Sequence, residues 1–174
     1  MASPSTSGYT VGDLDWLRDE IGVAHLELDP WGSLIVSPGD DNHERAVAAL
    51  ARQAVEQLSH PVSVNGYGWI VPGGTGYAMV PDITVLAQGW QRVDGLHFDP
   101  APFLVVEVAS PSTRWVDRTR KLDDYRVGGA GLYLLVDLPA TFELHIFAAG
   151  NVVSTTGSIE LVVGGEPVRF SLPA

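Results

Sequence analysis

Residues 103–125 read FLVVEVASPSTRWVDRTRKLDDY. The first part is a strand. Phe103 to Ala109 is apolar on both faces apart from Glu107, the pattern of a central strand covered on two sides. The second part is a helix, capped by Ser112 or Thr113, running to about Val127 and stopped by Gly128-Gly129. Two residues stand out. Glu107 places a carboxylate inside an apolar strand, and Lys121 is the only lysine in 174 residues.

An isolated ionised carboxylate in a core costs several kcal/mol, so Glu107 needs a cation, a metal or a raised pKa. The plainer reading is a buried ion pair with an arginine of the next helix. Chain geometry offers another. Three strand residues from Glu107 to Ser110 span about 10 Å, and eight helical residues from Thr113 to Lys121 rise about 12 Å. A helix folded back along the sheet returns Lys121 to the level of Glu107. Asp82, after Pro81 at the head of PDITVLA, is the second carboxylate in an apolar setting, and Asp137 at the end of LYLLVD is the third. Asp82 and Glu107 on neighbouring strands would repel unless a divalent cation joined them. Oxygen-only donors with open positions suit Mg²⁺ or Mn²⁺. Asp137 reads as a strand-end or turn residue.

Outward from this unit, residues 1–10 read as a disordered tip and residues 11–174 as one domain. Val11 to Ile21 has helical spacing, and His25–Leu28 and Ser33–Val36 read as strands around a Pro-Trp-Gly turn. The strongest helical stripe is Val47, Leu50, Ala54 and Leu58, capped by Asp41 or Asn42 and ended near His60-Pro61. Val62–Val71 is strand-like but broken by Gly66 and Gly68, and Tyr77–Ala87 reads as a strand with Pro81 at a start or edge. Gln88 to Pro102 reads as a surface loop. After the buried strand Leu132–Val136, four alternating segments (142–148, 152–155, 159–163 and 168–170) read as a terminal antiparallel meander. The fold class is α/β (α+β), a mixed central sheet flanked by helices.

Composition bounds the function. Hydrophobic residues make up 45% and charged residues 18%, which argues against disorder. There are no cysteines, which excludes thiolate metal sites. No basic and apolar leader and no membrane-spanning run is present, so a cytoplasmic protein with no membrane partner is expected. The net charge of −11 opposes nucleic-acid binding, but five of the ten basic residues lie between Arg114 and Arg126. They form either a solvated helix face or one local basic patch, with Arg114, Arg118 and Arg120 as the nucleic-acid contacts.

PDITV, FLVVEVASPS, the basic helix with KLDDY, and GAGLYLLVD together resemble the Uma2 family of the PD-(D/E)xK nuclease superfamily, over roughly residues 25–148. The resemblance implies a restriction-endonuclease-like fold and Mg²⁺- or Mn²⁺-dependent phosphodiester cleavage, with DNA as the substrate. Asp82 matches the family's aspartate after proline, and Glu107 its acidic residue on the next strand. The superfamily's usual lysine would fall at Ala109; in Uma2-like proteins it sits on the following helix, which Lys121 matches. Glu27 in LELDPWG resembles the family's early glutamate, and His43 a histidine that opens its long helix. Asp82, Glu107 and the Val108 main-chain carbonyl are the expected metal donors, with Lys121 as the third catalytic side chain. Tyr125, four residues beyond Lys121, is expected beside them, as accessory to the site like Glu27 and His43.

Three readings compete. One is a metal-dependent endonuclease, for which a homodimer would supply the two sites that cutting two strands requires. The second is a catalytically silent module on the same fold that binds nucleic acid or a protein partner, which the acidic charge favours. The third takes Asp82 and Glu107 as the acid and base of a glycosidase, against which Lys121 counts. The remaining histidines, 25, 60, 97 and 145, have no metal-ligand spacing. Asp117 and Lys121 have the spacing of a pair on one helix face.

Overall fold

The computed structural model describes residues 17, 20, 25–28, 34–37, 40–65, 79–93, 97–109 and 114–172. The expected disordered tip, the first helix apart from Leu17 and Glu20, the turn at 29–32 and the 112–113 cap lie outside them. The strands are β1 (His25–Leu28), β2 (Leu34–Ser37), β3 (Val62–Val64), β4 (Ile83–Val85), β5 (Gln91–Val93), β6 (His97–Asp99), β7 (Leu104–Ala109), β8 (Leu132–Asp137), β9 (Thr141–Ile146), β10 (Asn151–Thr156), β11 (Ser158–Val163) and β12 (Glu166–Ser171). Six form the central sheet in the order β10-β9-β8-β7-β4-β3. Only β7 and β8 run parallel within it, because the helix between them carries the chain back to the starting edge.

That crossover is the unit read from residues 103–125. All six residues of β7 are buried. Alternation sends Val106 and Val108 to one face, into a core with Val47, Leu50 and Ala54 of helix α1 (Asp41–Gln57) and with Leu161 and Phe170 of the β11–β12 hairpin. Val105 and Ala109 go to the other face, with Leu26, Met79, Tyr125 and Tyr133. Glu107 lies between these two and shares their face.

The second helix, α2, packs on that face. It runs as an α turn over Arg114–Val116, a π turn over Asp117–Lys121 and an α stretch over Leu122–Val127. Asp117 and Lys121, four apart and so on one face of the helix, both lie on the sheet side, where they are buried. Gly129, at φ +84°, takes the left-handed conformation that ends the helix.

Several elements depart from the sequence reading. The cap of α1 is Asp40, whose carboxylate accepts from the backbone N–H groups of Asn42 and His43, rather than Asp41 or Asn42. The expected 88–102 loop contains the β5–β6 antiparallel pair. Of the strand expected over Tyr77–Ala87, residues 77–78 lie outside the described residues, and within 79–87 the strand is Ile83–Val85, which starts after Pro81, a residue with no N–H for a ladder. The C-terminal strands are antiparallel as expected, but they divide. β9 and β10 complete the central sheet, while β11 and β12 pair only with each other and pack on α1.

Candidate active site

The register of the central strands sets the site. Ile83 pairs with Val106, so Asp82, just before β4, stands level with Glu107 on β7. Asp82 is 2% exposed and Glu107 4%. Asp82 Oδ2 accepts from the Val108 backbone N–H at 2.6 Å and lies 3.2 Å from His43 Nε2. A carboxylate only accepts, so Nε2 carries the proton. The hydrogen bond to Asp82 raises the His43 pKa, overcoming the lowering effect of burial, and Asp82, Glu44 and Asp40 add to the rise. His43 is in place because Asp40 caps the first turn of α1 and points that turn at Asp82.

Glu107 is held from α2. Its Oε1 accepts from Tyr125 OH at 2.5 Å and from Lys121 Nζ at 3.2 Å. Lys121 is 7% exposed, and its ammonium also meets Glu27 Oε1 at 3.1 Å and Asp117 Oδ1 at 3.5 Å. Glu27 accepts in addition from the Val80 N–H at 3.0 Å, which ties the β1 glutamate to the segment leading into Asp82. The Asp117 carbonyl accepts from Tyr133 OH at 3.0 Å and so pins the π turn to β8.

One ammonium thus faces three carboxylates, with Asp82 beside them. Burial pushes the Glu107 carboxyl well above the usual carboxylate range; Lys121 pulls it back, and Asp82, Asp117 and Glu27 push it up again. Burial alone would lower the Lys121 pKa, but Glu107, Glu27, Asp117 and Asp82 outweigh it and hold the ammonium well above its ordinary value. Burial likewise raises Tyr125, and Glu107 adds to it, so its phenol keeps its proton and donates. The cluster carries more negative than positive charge in a low-dielectric setting, where a further cation is favourable.

The sequence-derived residues divide by what they touch. Asp82, Glu107, Lys121, Glu27, His43 and Tyr125 converge. The ion-pair reading of Glu107 holds in outline, but its cation is the lysine. Lys121 is not a surface residue whose sole partner is Asp117. Asp117 is the member that sequence reading missed as part of the site; its spacing to Lys121 was visible, its burial was not. Asp137 instead takes Arg114 (3.0 Å) and Arg118, and Arg120 pairs with Asp124 at 3.6 Å.

The donor set fits a hard divalent ion by its chemistry, being all oxygen with two carboxylates level on adjacent strands. Among the described residues no group of three or more His, Asp or Glu side chains forms a ready cage. An ion held by two carboxylates would keep water in several positions, as Mg²⁺ does.

The profile of the Uma2 family, described as "Putative restriction endonuclease", matches residues 22–167. A solved structure from Anabaena variabilis ATCC 29413, described as "a putative nuclease belonging to DUF820", is similar with a TM-score of 0.57 and 16% identity, over 79% of this chain and 80% of that one. At that identity the likeness speaks for the fold. No curated protein matches the sequence.

Proposed function

The chain belongs to the Uma2 family, and from that premise we propose that it is a metal-dependent endonuclease that hydrolyses phosphodiester bonds in DNA. The observation that carries the reading is the buried meeting of Asp82, Glu107 and Lys121 at the end of β4 and the centre of β7. A solvated surface pair would not require three carboxylates to be buried around one ammonium.

Asp82 and Glu107 would hold Mg²⁺ or Mn²⁺. The N–H and C=O of one strand residue point to the same edge. The Val108 N–H points at Asp82, so its carbonyl is the main-chain oxygen on that side. When bound, the ion would polarise a phosphate oxygen and acidify water. The protein's own groups do the positioning. His43 and the Val108 N–H fix Asp82. Tyr125 fixes Glu107. Lys121, kept protonated by its carboxylates, offers a compact positive charge to the phosphate as negative charge develops. Arg114, Arg118 and Arg120, on the first turns of α2, would lie along the DNA backbone, with their pairing to Asp137 and Asp124 limiting what they add to affinity. A homodimer would bring two such sites to the two strands. Against the glycosidase reading stands Lys121, whose ammonium is paired with Glu107.

The test is cleavage of supercoiled and linear DNA with Mg²⁺ or Mn²⁺ and with EDTA, using the native chain and Asp82→Ala. Metal-dependent cleavage that the substitution abolishes is expected. DNA binding without cleavage in any metal would favour the silent binding module.

A further inference from the structure

At the end of β3, next to Asp82, Asn65 has three features, the last of which nothing among the described residues explains. Its φ is +46°, the left-handed region that asparagine enters more readily than most non-glycine residues. Its N–H donates to the Asp82 main-chain carbonyl at 3.0 Å. Its side-chain oxygen is buried with no hydrogen-bond partner. An orphaned buried acceptor loses its hydration without return, at a cost of about 1–3 kcal/mol, and calls for a water, an ion or a functional role.

Its position indicates which. Val64 pairs with Ile83, and Ile83 with Val106. One residue beyond each pair, Asn65, Asp82 and Glu107 stand in a row across three adjacent strands. Adjacent strands lie about 4.8 Å apart. The unpaired oxygen therefore belongs to the residue flanking Asp82 on the side opposite Glu107. An amide oxygen is a hard, neutral donor of the kind Mg²⁺ and Mn²⁺ accept. It also adds a donor without adding charge to a cluster already crowded with carboxylates.

We infer that Asn65 supplies a third side-chain oxygen to the divalent cation of the Asp82–Glu107 site. The inference rests on the metal-dependent reading above and adds to it a residue that no motif of the sequence marks. The left-handed backbone is then part of the device. It keeps the N–H on the Asp82 carbonyl at the end of the strand.

Glycine separates the two roles, since it adopts positive φ without strain and carries no amide. Mn²⁺ binding is to be measured by calorimetry and by electron paramagnetic resonance on the native chain, Asn65→Gly, Asn65→Asp and Asp82→Ala, with thermal melts in EDTA. Asn65→Gly is expected to melt at or above the native temperature and to bind Mn²⁺ at least about tenfold more weakly, since even an outer-shell partner is worth about that much. Asn65→Asp, which tolerates the same backbone and retains an oxygen, is expected to bind at least as tightly as the native chain. Native-like affinity in Asn65→Gly, or weakened binding in Asn65→Asp, overturns the role of Asn65 while leaving the site standing if Asp82→Ala loses the ion. Equal binding by Asp82→Ala and the native chain, or no binding by either, overturns both.

Discussion

Lys121 shows how one residue can be legible in its partner and hidden in its consequences. The strand and helix lengths alone bring it level with Glu107, and the 3.2 Å contact follows that arithmetic. Of its other two carboxylates, Asp117 was legible as a partner by its spacing of four but not as a buried one, and Glu27 was not legible as a partner of the same nitrogen. Glu27 arrives from a strand pair distant in sequence, and Asp117 is buried because α2 packs that face on the sheet. The consequence is energetic. Three buried carboxylates around one ammonium make its removal costly, because uncompensated buried charge remains. Lys121→Ala is expected to lower stability by about 3–5 kcal/mol, read as a drop in urea midpoint with unchanged slope. A loss under 1 kcal/mol would mean that the carboxylates protonate or hydrate freely. Lys121→Arg is the sharper test of catalysis: the planar fork keeps the charge but not the compact shape. Metal-dependent cleavage is expected to be lost in it, and full activity would remove the lysine from the chemistry.

Among the elements, β7 and α1 were readable because periodicity and burial coincide; the C-terminal hairpins were readable from their alternation, but not which of them joins the central sheet, since that depends on contacts with β8 and α1. The stripe Val47–Leu50–Ala54 is buried as its spacing predicts. The exact start of α1 was not readable, since Asp40, Asp41 and Asn42 are all good caps; the backbone chose Asp40. That choice reaches the site, because the Asp40 carboxylate holds the N–H of His43. Asp40→Ala is expected to cost about 1 kcal/mol and to lower the His43 midpoint in an imidazole NMR titration of the metal-free protein. An unmoved midpoint would separate the cap from the site. At the other end of α1, the β11–β12 hairpin is tied down by Glu166, which accepts from the Ser59 hydroxyl at 2.5 Å and the Ser59 N–H at 2.7 Å. These bonds, the hydroxyl first, lower its pKa below the ordinary 4.5. A depressed folded-state pKa means that the unfolded chain binds the proton more readily. The contribution is therefore present above pH 4.5 and lost as pH falls through the folded midpoint. Glu166→Gln is expected to flatten the acid limb of the stability curve over that window, and an unchanged limb would discount the tether.

At the scale of the whole molecule, the net charge of −11 and the basic stretch from Arg114 to Arg126 pull in opposite directions, and the sequence alone does not decide between them. The fold pairs the stretch internally. Arg114 and Arg118 share Asp137, Arg120 meets Asp124, and Arg126 meets Asp123. Asp137, read as a strand-end residue, thereby becomes the acid that holds the first turns of α2 against β8. Counterion release scales with the number of phosphates neutralised, so arginines committed to carboxylates contribute little to binding. Duplex DNA is expected to bind the metal-free protein weakly, with a shallow dependence on salt. Asp137→Asn keeps a hydrogen-bond acceptor at the same place and removes its charge. It frees two guanidinium groups for phosphate, and each adds about 0.9 to the slope of log K against log salt. Fluorescence anisotropy in EDTA, across a salt series, should therefore show tighter binding and a slope steeper by roughly 1–2. If Asp137→Asn leaves both affinity and slope at the native values, then Arg114 and Arg118 do not face the phosphates and the DNA path lies away from the first turns of α2.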